Sequence, residues 1–138
     1  MRVSQRLDYA LRVLVLLAMQ PSGEQVAAGD LANRLGLPRR FAEQQVSALA
    51  RAGIVRCRRG ASGGCALARP AETISVREVV EALEGGVLDV PRQTGSAAAE
   101  VWHDAAVALA RSLNQVDLAA VARRQRILDA ESTPMYYI

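Results

Sequence analysis

Arg40, Glu43, Gln44 and Ser47 recur at i, i+3, i+4 and i+7, the spacing that aligns side chains along one face of an α-helix. Arginine and glutamine can pair bidentately with guanine and adenine edges in a DNA major groove. Ala42, Val46, Leu49 and Ala50 occupy the opposite face, with Ile54 following, and this side packs inward. A solvated surface helix carries the same pattern, so these residues alone leave both readings open. A second basic group comes next. Arg56, Arg58 and Arg59 lead into Gly60-Ala61-Ser62-Gly63-Gly64, where glycines let a turn approach a sugar–phosphate backbone and arginine can enter a narrow minor groove.

Other chemistries fall away by inspection. The chain has no lysine, which excludes Schiff-base catalysis and the phosphate-loop lysine. Its one histidine, His103, cannot make a His-x-x-x-His zinc site, and there is no Cys-x-x-Cys. No glycine-rich dinucleotide turn follows a strand and opens a helix. Gly60-x-Ser62-x-Gly64 spells a nucleophile elbow, but that motif needs a strand before it and a helix after it, and strand-like runs flank it on both sides. These features exclude the common catalytic and metal motifs, and the expectation is a protein that is not an enzyme and needs no cofactor.

The elements that must position these groups are mostly helical. Among 138 residues there are twenty-five alanines and five prolines, and 51% are apolar. No apolar run approaches the roughly 20 residues of a membrane span. Arg2 and Arg6 are followed at once by Asp8, unlike a secretory leader, and the two cysteines read as free thiols; a soluble cytoplasmic protein is expected. Residues 1–70 hold eleven arginines against four acids, and residues 71–138 hold six against ten. The overall charge of +3 therefore hides a basic front half and an acidic back half.

A first helix is predicted from Ser4 to Met19 and a second from Ala28 to Leu35, stopped by Gly36. A third opens at Pro38 and closes near Ala52, so the second and third make a helix-turn-helix by layout. Residues 54–59 and 65–68 read as two strands around the glycine-rich turn, a hairpin with arginines at its tip and therefore a wing. Ser75-Val76-Arg77-Glu78 is a capping box opening a fourth helix that stops at Gly85-Gly86. A linker over 86–96 precedes a long helix from Ala97 to Leu113 and a last helix capped by Asp117 and running to Leu128. Val101, Ala105, Leu109 and Leu113 form a stripe on the long helix with Trp102 beside it. A dimer seam and packing within one chain both explain that stripe. The fold class is thus mainly α with a small β-hairpin wing, divided as 1–85 for nucleic-acid binding, 86–96 as linker, 97–130 for dimerisation and 131–138 as tail.

Met1-Arg2-Val3-Ser4, Tyr9-Ala10-Leu11-Arg12, Phe41-Ala42-Glu43-Gln44 and Arg59 to Gly64 follow one another in a familiar order. Ile74-Ser75-Val76, Leu83-Glu84-Gly85, Trp102 and Val116-Asp117-Leu118-Ala119 complete it. The chain resembles the winged-helix repressors of the iron–sulfur cluster regulator, the nitric-oxide-sensing repressor and the cysteine-metabolism repressor, the Rrf-two family. The resemblance implies a homodimer on double-stranded, pseudo-palindromic DNA, with Arg40, Glu43 and Gln44 in the major groove and Arg59 in the minor groove. Arg2, Arg39 and Ser47 join the helix contacts, and Arg58, Gly60, Ser62 and Gly63 join those of the wing. Cluster-bearing relatives place three cysteines between the fourth helix and the long helix, whereas residues 66–138 here contain none. Asp8, where some relatives add an acidic cluster ligand, is expected to serve the helix dipole or a nearby arginine instead.

Three further expectations concern residues outside this frame. Cys57 and Cys65 lie near Arg56, Arg58 and Arg59, whose charge would lower a thiol pKa; they are either a redox-sensitive pair or two inert small residues. The tail Met135-Tyr136-Tyr137-Ile138, after an extended exit at Glu131-Ser132-Thr133-Pro134, either folds back on the dimer or binds a partner. The tail resembles that of the clusterless cysteine-metabolism repressor, which implies cysteine synthase as that partner, with Ile138 and its carboxylate imitating an amino-acid substrate. A rival class is a protein–protein regulatory module that controls an enzyme and uses DNA little. A basic glycine-rich wing argues against it.

Overall fold

The computed structural model describes residues 2–22, 24–92 and 94–132. The described chain runs α1 (Gln5–Ala18), α2 (Ala28–Leu35), α3 (Arg39–Arg51), β1 (Val55–Arg58), β2 (Gly64–Leu67), a short 3₁₀ turn (Ala71–Thr73), α4 (Val76–Glu84), α5 (Ala97–Asn114) and α6 (Leu118–Ser132). This is the expected mainly α fold with a β-hairpin wing. The last helix continues past Leu128, so Glu131 and Ser132 are helical and the expected extended exit does not begin there. Ser132 Oγ donates to the Asp129 carbonyl at 3.0 Å within that final turn. Met135, Tyr136, Tyr137 and Ile138 lie outside the described residues.

Local chemistry accounts for the ends. Ser4 Oγ accepts the Leu7 N–H at 3.0 Å, and Asp117 Oδ1 accepts that of Ala120 at 2.8 Å, each satisfying one orphan donor of a first helical turn. Gly36 adopts the left-handed conformation (φ 65°, ψ 32°), and the Leu37 N–H reaches back to the Ala32 carbonyl at 2.9 Å. This backbone closure ends α2 and turns the chain into α3, and it favours glycine because a Cβ is strained at that φ. The capping box of α4 is half made. Ser75 Oγ accepts from the Glu78 N–H at 3.1 Å, but the Glu78 carboxylate is taken by Arg69, whose two terminal nitrogens donate to it at 2.7 and 2.6 Å. The Arg69 hydrogen bonds hold the Glu78 carboxyl below its ordinary pKa range, against a smaller opposing effect of burial.

One core joins most elements. Leu14 of α1, Leu31 of α2, Leu49 of α3, Ile54 before the hairpin, Ile74 before α4 and Leu118 of α6 are its largest fully buried side chains. Two isolated bridges tie down the connections. Val26, between α1 and α2, exchanges backbone hydrogen bonds with Cys65 at 2.9 and 2.8 Å, adding a third line to the wing. Ser75 pairs likewise with Asp117: the Val76 N–H donates to Val116 O at 2.8 Å and the Leu118 N–H to Ile74 O at 2.9 Å. In α5 only Ala99 is buried, while Val101 and Trp102 stand 58% and 51% exposed. Ala105, Leu109 and Leu113 of the same stripe are half-buried. No helix among the described residues is long and apolar enough to cross a membrane.

Candidate nucleic-acid interface

The outward face of α3 is held in place from behind. Ala42, Val46 and Leu49 are buried, as the periodicity predicts, and Gln45 joins them at 3% exposure. Phe41 and Tyr9 of α1 pack in a T-shape, ring centres 5.2 Å apart at 87°, and the Arg12 guanidinium lies 5.9 Å from the Tyr9 ring centre. Asp8 pairs with Arg12 at 3.1 Å, the arginine partner expected for it. Arg6 donates to the Leu83 carbonyl at 2.8 Å and Ser4 Oγ to Glu84 Oε1 at 2.7 Å, fixing the start of α1 to the end of α4.

Arg40, Glu43, Gln44 and Ser47 are all exposed and line a shallow depression of about 230 Å³ together with Arg51. Within this face Glu43 is already engaged by Arg39, Nε to Oε1 3.1 Å. That pair neutralises part of the charge at the helix start. Among the described residues, the side chains of Arg40 and Gln44 form no hydrogen bond, so their donors are available to another molecule. Arg51 was not among the sequence candidates, although it continues the same face four residues beyond Ser47. Gln45 carries no sequence signal of burial, and its Oε1 has no hydrogen-bond partner.

The wing is a four-residue antiparallel pair with Val55 opposite Leu67 and Arg58 opposite Gly64. Its turn closes through the Gly63 N–H to the Gly60 carbonyl at 3.0 Å, with Gly60 at φ 108°, where side chains are strained. A Cβ on Gly63 would strike the Arg58 carbonyl oxygen, and one on Gly64 would lie 2.8 Å from the Val26 backbone carbon. Arg56, Arg58, Arg59 and Ser62 are exposed around this tip, as is Arg2 at the N-terminal end. Among the described residues, Arg58 and Arg59 have no acidic partner.

The buried thiol of the wing departs from expectation. Cys57 is exposed, but Cys65 is buried, and burial, then a hydrogen bond and charge interaction with Cys57, push the Cys65 thiol up to about 12. At Cys65 desolvation outweighs the neighbouring arginines, which project to solvent. The donor set does not fit an iron–sulfur cluster. Both cysteines lie in the wing, and no group of three or more His, Cys, Asp or Glu side chains converges among the described residues.

A helix-turn-helix backed by one core and followed by a glycine-tipped hairpin defines a winged helix-turn-helix protein. A family model described as an iron-dependent transcriptional regulator, Rrf2, matches residues 3–124. The protein rrf2 of Nitratidesulfovibrio vulgaris is 34% identical over 132 residues, 89% of this chain and 88% of that protein. The HTH-type transcriptional regulator IscR of Escherichia coli is 28% identical, over 94% of this chain and 85% of that one. Among solved structures, CymR, the global cysteine regulator of B. subtilis, superposes with a TM-score of 0.81 at 26% identity, covering 90% of this chain and 98% of that one. IscR of T. potens gives 0.78 at 29% identity, covering 99% and 97%. The chain belongs to the Rrf2 family of transcriptional regulators.

Proposed function

We propose that the protein is a homodimeric, clusterless repressor that binds a pseudo-palindromic DNA duplex. The observation that carries this reading is the pairing of an unengaged Arg40–Gln44 face on a buttressed helix with an arginine wing whose glycines keep the tip narrow. On this reading Arg40, Glu43 and Gln44 contact base edges in the major groove, and Arg39 and Ser47 set the helix against the backbone. Arg59 reaches the minor groove, Arg58 adds a wing contact, and Gly60, Ser62 and Gly63 let the tip approach the sugar–phosphate chain. Arg2 adds a phosphate contact. Residues 1–85 form the DNA-binding unit, 86–96 the linker and 97–130 the dimerisation helices, with Val101, Trp102, Ala105, Leu109 and Leu113 at the seam. No catalytic role is assigned to any residue.

The test is a gel shift with the DNA upstream of the protein's own gene at two salt concentrations. Arg59→Ala is expected to weaken binding by about 1–3 kcal/mol and to flatten the salt dependence. Absence of salt-sensitive binding would favour a regulatory module that acts on an enzyme and sink the DNA reading.

The likeness to a global cysteine regulator supports a second element of the reading. The regulated process is cysteine metabolism, and the tail 135–138 engages cysteine synthase. Ile138 enters its active site and Tyr136 and Tyr137 anchor the mouth, with Met135 beside them. Mixing the two proteins should change the fluorescence of the synthase's pyridoxal-phosphate cofactor. Deletion of Ile138 should abolish the change and O-acetylserine should compete with it; a silent mixture with the intact tail removes the synthase from the scheme.

A further inference from the structure

Cys57 and Cys65 stand directly opposite each other in the register of β1 and β2. The backbone fixes what kind of pair this is. The Ala68 N–H donates to Ile54 O at 2.9 Å, so Ile54 and Ala68 form a hydrogen-bonded pair, and such pairs alternate with non-bonded ones along an antiparallel ladder. Three positions further on, Cys57–Cys65 falls on a non-hydrogen-bonded pair. Cys65 says the same from its other side: its N–H and C=O turn away from β1 to Val26. Pairs of this kind bring Cα atoms to about 4.5 Å and side chains to their closest approach, at the near edge of the range that disulfides span.

We propose that the wing is a reversible thiol–disulfide site, in which a peroxide joins Cys57 to Cys65 and thereby loosens the protein's hold on DNA. The regulatory half of the proposal rests on the DNA-binding reading above. The roles of the two sulfurs follow from their surroundings. Exposed Cys57 meets the oxidant first. Its thiolate attacks one peroxide oxygen, the O–O bond breaks, and the departing hydroxide takes the proton that Cys57 gave up, leaving a sulfenic acid and water. The Cys65 sulfur then attacks the Cys57 sulfur. The S–O bond breaks, and the hydroxide leaves with the Cys65 proton as a second water. Two thiols are oxidised to one disulfide and one peroxide is reduced to two waters. Cys65 is too buried and too weakly acidic to be an independent target, so its part depends on its nearness to Cys57.

The mechanical consequence is directional. Disulfides most often hold Cα atoms about 5.5–6 Å apart, wider than the pair they would replace by about 1 Å. β2 cannot supply that movement. Cys65 is bonded to Val26 through both backbone groups, and Gly64 sits against the Val26 backbone with no room for even a Cβ. The displacement therefore falls on β1, which carries Arg58 and leads directly into Arg59.

Reduced protein is treated with hydrogen peroxide; one portion is unfolded in denaturant and its remaining thiols blocked with N-ethylmaleimide for the mass, and another is kept native for the gel shift on the upstream DNA. The expected product is a single chain two hydrogens lighter that takes up no maleimide. Its DNA affinity is about tenfold lower, comparable to losing one arginine contact, and dithiothreitol restores it. Cys57→Ser, at an exposed position, and Cys65→Ala should both keep their affinity under peroxide. Oxygen added to Cys57 with Cys65 still alkylatable, or a Cys57–Cys57 link between two chains, overturns the disulfide. An intramolecular disulfide with unchanged affinity overturns the switch. If the reduced protein itself shifts no DNA, the DNA reading and the switch fall together, while the mass still decides the bond.

Discussion

Val101→Glu combined with Trp102→Glu is expected to give a folded monomer whose affinity for a two-half-site operator is lower by about 10²–10⁴-fold. The large factor comes from losing effective concentration, because each half-site must then be captured separately. The two substitutions act where the chain leaves apolar area in water. Val101, Trp102, Ala105 and Leu109 lie within about 100° of one another around α5, and none of the four is fully covered by its own chain. In a seam between subunits, two carboxylates at these positions would be desolvated without partners, at a cost of several kcal/mol. They cost little in the isolated chain, where both positions face solvent. Sedimentation at micromolar concentration, with circular dichroism to show retained helix, decides the matter. A persisting dimer with both glutamates in place moves the seam off this face.

Gly63→Ala is expected to disable the proposed DNA contact of the wing while leaving the helical body folded. The added methyl has nowhere to go: it meets the Arg58 carbonyl oxygen and lies 2.9 Å from the carbonyl carbons of Arg58 and Arg59. All are backbone atoms, so no side-chain rotation relieves the contact, and the turn between Gly60 and Gly63 must open. Arg58 and Arg59 are then displaced together, so DNA affinity should fall by roughly 10–100-fold, at least as far as for Arg59→Ala. The tip contributes nothing to the buried core, so the melting temperature should drop by only a few degrees. Wild-type affinity in this variant would mean that the tip does not touch DNA.

The parts of this architecture that depend on local chemistry are legible in the chain. Ser4, Gly36, Ser75 and Asp117 act at helix ends as their types and positions predict, and the inward spacing of Ala42, Val46 and Leu49 orients α3. Features decided by distant neighbours are not. The Val26–Cys65 bridge is a single pair between segments with no alternating pattern on the Val26 side. Burial of Gln45 depends on what covers α3, and the diversion of Glu78 from its cap depends on Arg69 nine residues earlier. The high pKa at Cys65 has the same origin. Sequence shows the arginines beside the thiol but not the hydrophobic core that buries it.

The Ser75–Asp117 bridge bears on where this chain can change length. Between Gly86 and Gly95 no backbone hydrogen bond is made among the described residues, so residues added there lengthen a span that sets no register. One residue added between Leu113 and Leu118 would shift Val116 out of reach of the Val76 amide and draw Leu118 from the centre of the core. Natural insertions and deletions should therefore collect before α5 and avoid the α5–α6 elbow.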